Sequence, residues 1–200
     1  NYEGVEREGE TKVFEDKLWT AQGVKGERNQ SRSVTCRLVR NVSGVTLYAK
    51  TLVVLDPTNP NRVTGRATTL FQLDTYPVDE FLPATGVPTG DLFWIVVGGP
   101  AKVLTPMTGA EFNATSIAAG DLIGAATTNG GSTAAGSTVP AGRAAGPLLV
   151  NVALTTNTQY AQLIRDIRGG IGMAMSAMTS GQTNADMLID VGWKRGGGYP

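Results

Sequence analysis

Cys36 and the carboxylates are the first side chains to ask about chemistry, because the 200 residues of this chain include one cysteine and no histidine. General acid–base catalysis draws most often on histidine, and Ser-His-Asp or Cys-His arrangements need one. Both are excluded here. Cys36 lies beside Arg37 in the alternating run Val34–Val39. A basic neighbour lowers a thiol pKa, but a lone cysteine in such a run reads better as a small buried apolar residue. Asp79-Glu80, with Asp74 and Asp91 nearby, is the only adjacent acidic pair beyond residue 32. A carboxylate-only hydrolase would need two of these across a cleft, and their spacing points instead to a solvated loop.

Other site types fare no better. Asp56, Asn59 and Asn61 could offer oxygens to calcium, yet they lack the glycine and terminal glutamate of a twelve-residue calcium loop. One cysteine and no histidine rule out a Cys/His zinc cluster. The stretch Arg168–Met175, RGGIGMAM, has neither the G-x-G-x-x-G spacing nor the Lys-Ser/Thr pair of a phosphate cradle. Lys194-Arg195 before three glycines is too little charge to bind nucleic acid. The triplets at Asn29, Asn41 and Asn113 match glycosylation acceptors, but the first ten residues carry no apolar segment of the signal-peptide kind. The expectation is a protein that is not an enzyme, with no catalytic, cofactor-binding or metal residues. A structural subunit or a binding module remains.

The elements that would hold such a surface are mostly strands. Residues 1–32 are polar, with Val5, Val13, Phe14, Leu18, Trp19 and Val24 as isolated apolar anchors, and read as an extended N-terminal arm. A first strand or helix folded onto its own domain is the competing reading of that segment. The body is residues 33–200. Alternation across Ser33–Asp56, interrupted at Asn41-Val42-Ser43-Gly44, predicts a hairpin or meander. DPTNPN (Asp56–Asn61) is a turn by its chemistry, and Val63–Leu73 a further strand. Phe93–Val97 and Ala101–Leu104, separated by Gly98-Gly99-Pro100, read as a core hairpin with Trp94 turned to the chain's own core. Leu148–Leu154 reads as a strand. Tyr160, Leu163, Ile164, Ile167, Ile171, Met175 and Met178 keep one helical face, which predicts a single helix over about 157–178. The fold class is thus mainly β, an antiparallel sandwich or barrel with an N-terminal arm and one C-terminal helix. No internal repeat stands out.

Charge is balanced at 17 basic and 17 acidic residues, so no net field attracts nucleic acid or an anionic membrane. Residues 1–40 hold fifteen of those charges, whereas Val103–Ile164 holds only Glu111, Asp121 and Arg143. A mixed-charge arm beside a nearly uncharged span fits a subunit bedded against neighbours.

TGDLFWIVVGGPAKVLT (Thr89–Thr105) followed by SIAAGDLIGAA (Ser116–Ala126) resembles the capsid cement, or decoration, proteins of tailed bacteriophages. The shared style is a strand, a glycine turn, a second strand, and then a Gly-Asp step at Gly120-Asp121 into another short strand. RNVSGVTLYAK (Arg40–Lys50) is similar to an Asn-x-Ser-Gly turn of virion surface proteins. The resemblance spans about Arg40–Leu154 and implies a β-barrel or sandwich on the outer capsid surface of the virion. Such a protein, often a trimer, clamps neighbouring major capsid proteins, so the implied partners are the major capsid protein and further copies of the chain. Neither nucleic acid nor membrane is among them. Phe14, Leu18 and Trp19 of the arm are the expected capsid contacts. The alternative is a head fibre or carbohydrate- and host-binding accessory, which would display exposed aromatics such as Trp193.

Overall fold

The computed structural model describes residues 7–15, 33–67, 75–104, 117–125, 144–145, 170–178 and 186–191. Its strands are β1 (Thr11–Glu15), β2 (Ser33–Asn41), β3 (Leu52–Leu55), β4 (Arg62–Arg66), β5 (Thr75–Pro77), β6 (Leu92–Gly98), β7 (Pro100–Leu104), β8 (Leu122–Ala125), β9 (Ala144–Ala145), β10 (Gly172–Ala174) and β11 (Asp186–Asp190). They form a six-stranded sheet in the order β1-β2-β4-β3-β5, with β6 also on β2, and a five-stranded sheet in the order β7-β11-β10-β8-β9.

The first sheet curls into a half-barrel. Its far strand continues through Val78, which bridges Ile95 of β6, and Asp79 donates its amide to the Trp94 carbonyl at 3.1 Å. The curl encloses one core cluster made wholly of this sheet and its loops, including Val39, Val53, Leu55, Val63, Phe93, Ile95 and Val97. Leu47 and Val87 pair with each other across two loops and complete that cluster.

The second cluster lies between the sheets. Cys36, Leu52, Val54 and Val96 of the first meet Ala101, Val103, Ile123, Met187 and Ile189 of the second. Successive strand residues point to opposite faces, so β3 and β6 feed both clusters by turns. This is why Leu52–Leu55 is buried throughout and why Phe93–Val97 is apolar without alternation. A strand covered on both faces needs no polar residues on either.

That arrangement corrects the expected hairpin. β6 pairs with β2, and β7 pairs with β11, so the two runs belong to different sheets. Gly98-Gly99-Pro100 is the corner where the chain changes sheet. Gly99 has φ 85° there, and a Cβ on it would stand 2.3 Å from the Ser33 carbonyl oxygen, so any side chain strains the backbone and must displace β2. The turn at Asn41–Gly44 likewise leaves β2 without forming a hairpin, because β3 pairs with β4 and β5. The Asp56–Asn61 turn does close a hairpin, between β3 and β4.

The helix over about 157–178 is contradicted where it can be compared. Gly172–Ala174 is strand β10 between β8 and β11, and Met178 bridges Ile117; residues 157–169 lie outside the described residues, as does Leu148–Leu154. Gly172 packs so closely on β11 that a Cβ would sit 2.4 Å from the Asp190 carbonyl oxygen. Glycines at 169, 170 and 172 had weakened the helix by roughly 1 kcal/mol each, and the sheet makes use of that smallness.

A repeat does exist, in the turns. Arg7–Glu10, Tyr48–Thr51, Pro88–Asp91 and Ala118–Asp121 each form a four-residue turn leading into β1, β3, β6 and β8. The third residue has positive φ in every case: Gly9 90°, Lys50 61°, Gly90 100° and Gly120 93°. In each turn the third residue's amide and the fourth residue's carbonyl bracket one residue of the neighbouring chain, namely Leu38, Val78, Asn41 and Ala174. Two residues opposed to one, the first left-handed, is the glycine β-bulge.

Candidate functional site

The chemistry-bearing residues are absorbed into structure. Cys36 is buried, and burial pushes its thiol up to about 12, with Asp79 adding to the rise. Desolvation also raises the Asp79 carboxyl, while its Oδ1 accepts the Phe81 amide at 3.2 Å. Glu80 is held by Lys102 at 2.9 Å. Asp56 Oδ1 accepts the amide and hydroxyl of Thr58, and Asn59 Oδ1 accepts the Asn61 amide, so those oxygens are committed to their own loop. Among the described residues no group of three acidic or cysteine side chains could hold a metal ion.

Asn41 cannot be a glycosylation acceptor in this fold. Its side chain is fully buried, donating to the carbonyls of Val45 (2.8 Å) and Val87 (3.0 Å). Its Oδ1 accepts the Ser43 amide at 3.0 Å and hydroxyl at 2.6 Å. It pins the loop that carries Leu47. Asn29, Asn113 and Asp74 lie outside the described residues, as do Lys194 and Arg195.

What remains is surface. Of the expected arm, residues 7–15 are described, and they lie in the body's first sheet as a glycine-bulge turn followed by β1. Glu8 receives Arg40 Nε at 2.8 Å and Arg62 Nε at 3.3 Å. The Arg40 hydrogen bond, with Arg62 beside it, holds the Glu8 carboxyl below its ordinary range against some desolvation. Beyond this anchor β1 runs antiparallel to β2, from Thr11 opposite Arg37 to Glu15 opposite Ser33.

Alternation along β1 splits its side chains between two faces. Lys12 and Phe14 stand opposite Cys36 and Val34, on the face that meets the second sheet. The Phe14 ring meets Trp94 edge-on at 5.7 Å and 84°, and Lys12 Nζ lies 5.4 Å from the Trp94 ring centroid. Trp94 is part-buried against the inter-sheet cluster. It therefore turns to the chain's own core on one side and to β1 on the other. Phe14 remains 45% exposed and Val13, on the opposite face, 64%. β1 has no partner on its outer side among the described residues.

Of the three expected contacts, Phe14 is thus a half-exposed edge residue, and Leu18 and Trp19 lie outside the described residues. Sequence reading overlooked a second surface. Val42, Val45, Tyr48 and Phe81 are exposed on 42–49 and 81–90, two segments without a charged residue, joined by the Leu47–Val87 bridge. The Arg66 guanidinium lies 5.8 Å from the Tyr48 ring centroid and donates to the Thr46 carbonyl at 2.6 Å. The signal was available as the absence of charge from both segments. No family model matches the chain, and no curated protein or solved structure matches it.

Proposed function

We propose that the chain is a non-enzymatic structural virion protein that binds the outer capsid surface and stabilises contacts between major capsid proteins. The observation that carries this reading is the edge strand β1, with Val13 and Phe14 exposed beside part-buried Trp94. Aromatic anchors of this kind supply most of the affinity at protein interfaces. Burial of Cys36 and the contacts that hold Asp56, Asp79 and Glu80 are consistent with a role in adhesion. Repetition over the symmetric sites of a shell multiplies a modest contact through avidity.

The test is co-sedimentation with icosahedral heads assembled from the major capsid protein alone. Wild-type chain is expected to saturate at a fixed copy number per shell subunit. Val13→Glu/Phe14→Glu is expected to lower occupancy at least tenfold. Absence of wild-type binding refutes the function, and unchanged occupancy of the variant refutes the site. Exposed Phe81 (77%) and Tyr48 (40%) favour one alternative, a virion-surface module that binds host or carbohydrate. Glycan-array binding lost in Phe81→Ala and Tyr48→Ala would establish it over the capsid reading.

A further inference from the structure

We propose that the edge of β2 over Ser33–Arg37 is a strand-acceptor site whose alternative occupant is residues 7–15 of a second copy of this chain. The contacts described between residues 7–15 and the rest of the chain are made by the body. Glu8 meets Arg40 and Arg62, the Gly9 amide and Glu10 carbonyl bracket Leu38, β1 forms a five-residue ladder with β2, and Phe14 abuts Trp94. The body therefore offers the same acceptor to any copy's segment, and swapping keeps every one of these contacts.

The segment also contributes no residue to either core cluster. Both of its large apolar side chains, Val13 and Phe14, are exposed by 45% or more. Elements with little buried apolar area open at the lowest free energies. Residues 16–32 separate β1 from β2. Their fully extended reach is about 56 Å at roughly 3.3 Å per residue, enough to reach an adjoining subunit.

Concentration decides which copy occupies the acceptor. A tethered segment sees its own acceptor at an effective concentration on the order of millimolar. In dilute solution the closed chain wins. Neighbours fixed side by side compete on equal terms, and this extension to a shell rests on the capsid reading. The acceptor itself does not, and its test needs no capsid.

Val13 and Thr35 face each other, and counting from the Leu38 bracket makes them a non-hydrogen-bonded pair. Such pairs are close enough for a disulfide. In a Cys36→Ala background, one chain carrying Val13→Cys is mixed with a mass-tagged chain carrying Thr35→Cys and oxidised. A disulfide joining position 13 of one chain to position 35 of the other, mapped by peptide mass, is expected well in excess of 13–13 and 35–35 bonds when β1 of one copy lies on β2 of the other, whereas collision of closed chains gives no such preference. Its yield is expected to rise from negligible at micromolar to a large fraction near millimolar concentration. Because the shared contacts cancel at equilibrium, Glu8→Gln is expected to speed exchange severalfold without changing the final yield. The double variant Val13→Cys/Thr35→Cys reports the closed form through its intrachain bond and shows that the background folds. No excess of 13–35 interchain bonds at any concentration in the mixture while the double variant forms its intrachain bond, or an exchange rate indifferent to Glu8→Gln, overturns the proposal.

Discussion

Gly99→Ala is the sharpest test of the two-sheet reading, because two separate penalties fall on one atom. The first is conformational: φ 85° disfavours any residue with a Cβ, by about 1–2 kcal/mol. The second is steric. The new methyl would stand 2.3 Å from the Ser33 carbonyl oxygen and 3.3 Å from the Val34 Cα, which are backbone atoms that cannot rotate away. Overpacking of that kind costs about 1–3 kcal/mol. Alanine also narrows the unfolded ensemble, which returns about 0.4–1 kcal/mol. The net is roughly 2–4 kcal/mol, and a chain of this size loses about 2–4 °C in Tm for each kcal/mol.

Two controls separate the penalties. Gly90 has φ 100° with nothing within 4 Å of its Cβ position, so Gly90→Ala carries only the conformational part. Gly172 lies outside the left-handed region but would meet the Asp190 carbonyl oxygen at 2.4 Å, so Gly172→Ala carries only the steric part. Differential scanning calorimetry should rank Gly99→Ala as the most damaging and Gly90→Ala as the mildest, at roughly 1 kcal/mol. Hydrogen exchange adds a location. The Val191 amide donates to the Gly99 carbonyl at 2.9 Å, and it should lose protection in Gly99→Ala before the amides of β3 do. A Tm for Gly99→Ala equal to that of Gly90→Ala would refute the corner, because a simple hairpin turn has no β2 backbone against it.

Asn41→Ala strands the carbonyls of Val45 and Val87 in a buried site, so thermal unfolding should show a loss of about 2–4 kcal/mol. At Lys50, the one described non-glycine with positive φ, Lys50→Val should cost about 1–2 kcal/mol more than Lys50→Gly in the same assay, because β-branching aggravates the left-handed backbone. Lys50→Gly itself should be close to neutral, since it relieves that strain but loses the half-exposed Asp186 pair at 2.6 Å. Cys36 keeps its proton in the fold up to about 12 against an ordinary 9.0, so its contribution is intact below pH 9 and declines as the unfolded thiol ionises above it. Cys36→Ala should therefore flatten the alkaline fall in denaturant midpoint, and the native thiol should resist a disulfide reagent at pH 8 until the chain unfolds.

The parts of the fold that were legible in the sequence are those fixed by neighbours along the chain. The Asp56–Asn61 turn closed its hairpin because prolines and Asx side chains determine a turn locally. Gly120-Asp121 led into β8 as expected, with Asp121 Oδ2 accepting the Ala118 amide at 2.7 Å. What failed depended on contacts distant in sequence. The Gly172–Ala174 segment satisfies a helical period through Ile171, Met175 and Met178, yet Met173 lies opposite Asp190 in the sheet. The four bulge turns were half visible as Glu8-Gly9-Glu10, Thr89-Gly90-Asp91 and Ala119-Gly120-Asp121; Lys50 in the fourth hides the pattern. Of the candidate site, Phe14 was identified from type and position, but its partner Trp94 is eighty residues on and could not be.

The low charge content also reads differently once both sheets are in place. At 17% charged residues the chain lies below the roughly 25% usual for soluble domains, a deficit that surfaces covered by neighbouring subunits would explain. β3 and β6 offer an internal cause, since each serves two cores and has no polar face to fill with lysine or glutamate. Part of the deficit is therefore spent inside one chain and says nothing about partners. Among the described residues, a further part falls at particular places: Val13 and Phe14 on the β1 edge, and Val42, Val45, Tyr48 and Phe81 on the two uncharged loops. Those loops are held by the Leu47–Val87 bridge and by Asn41, and the β1 edge by Glu8 and the β2 ladder. Groups fixed before binding lose little entropy on contact. The case for partner binding consequently rests on these few residues and their supports, where substitution can separate one surface from the other.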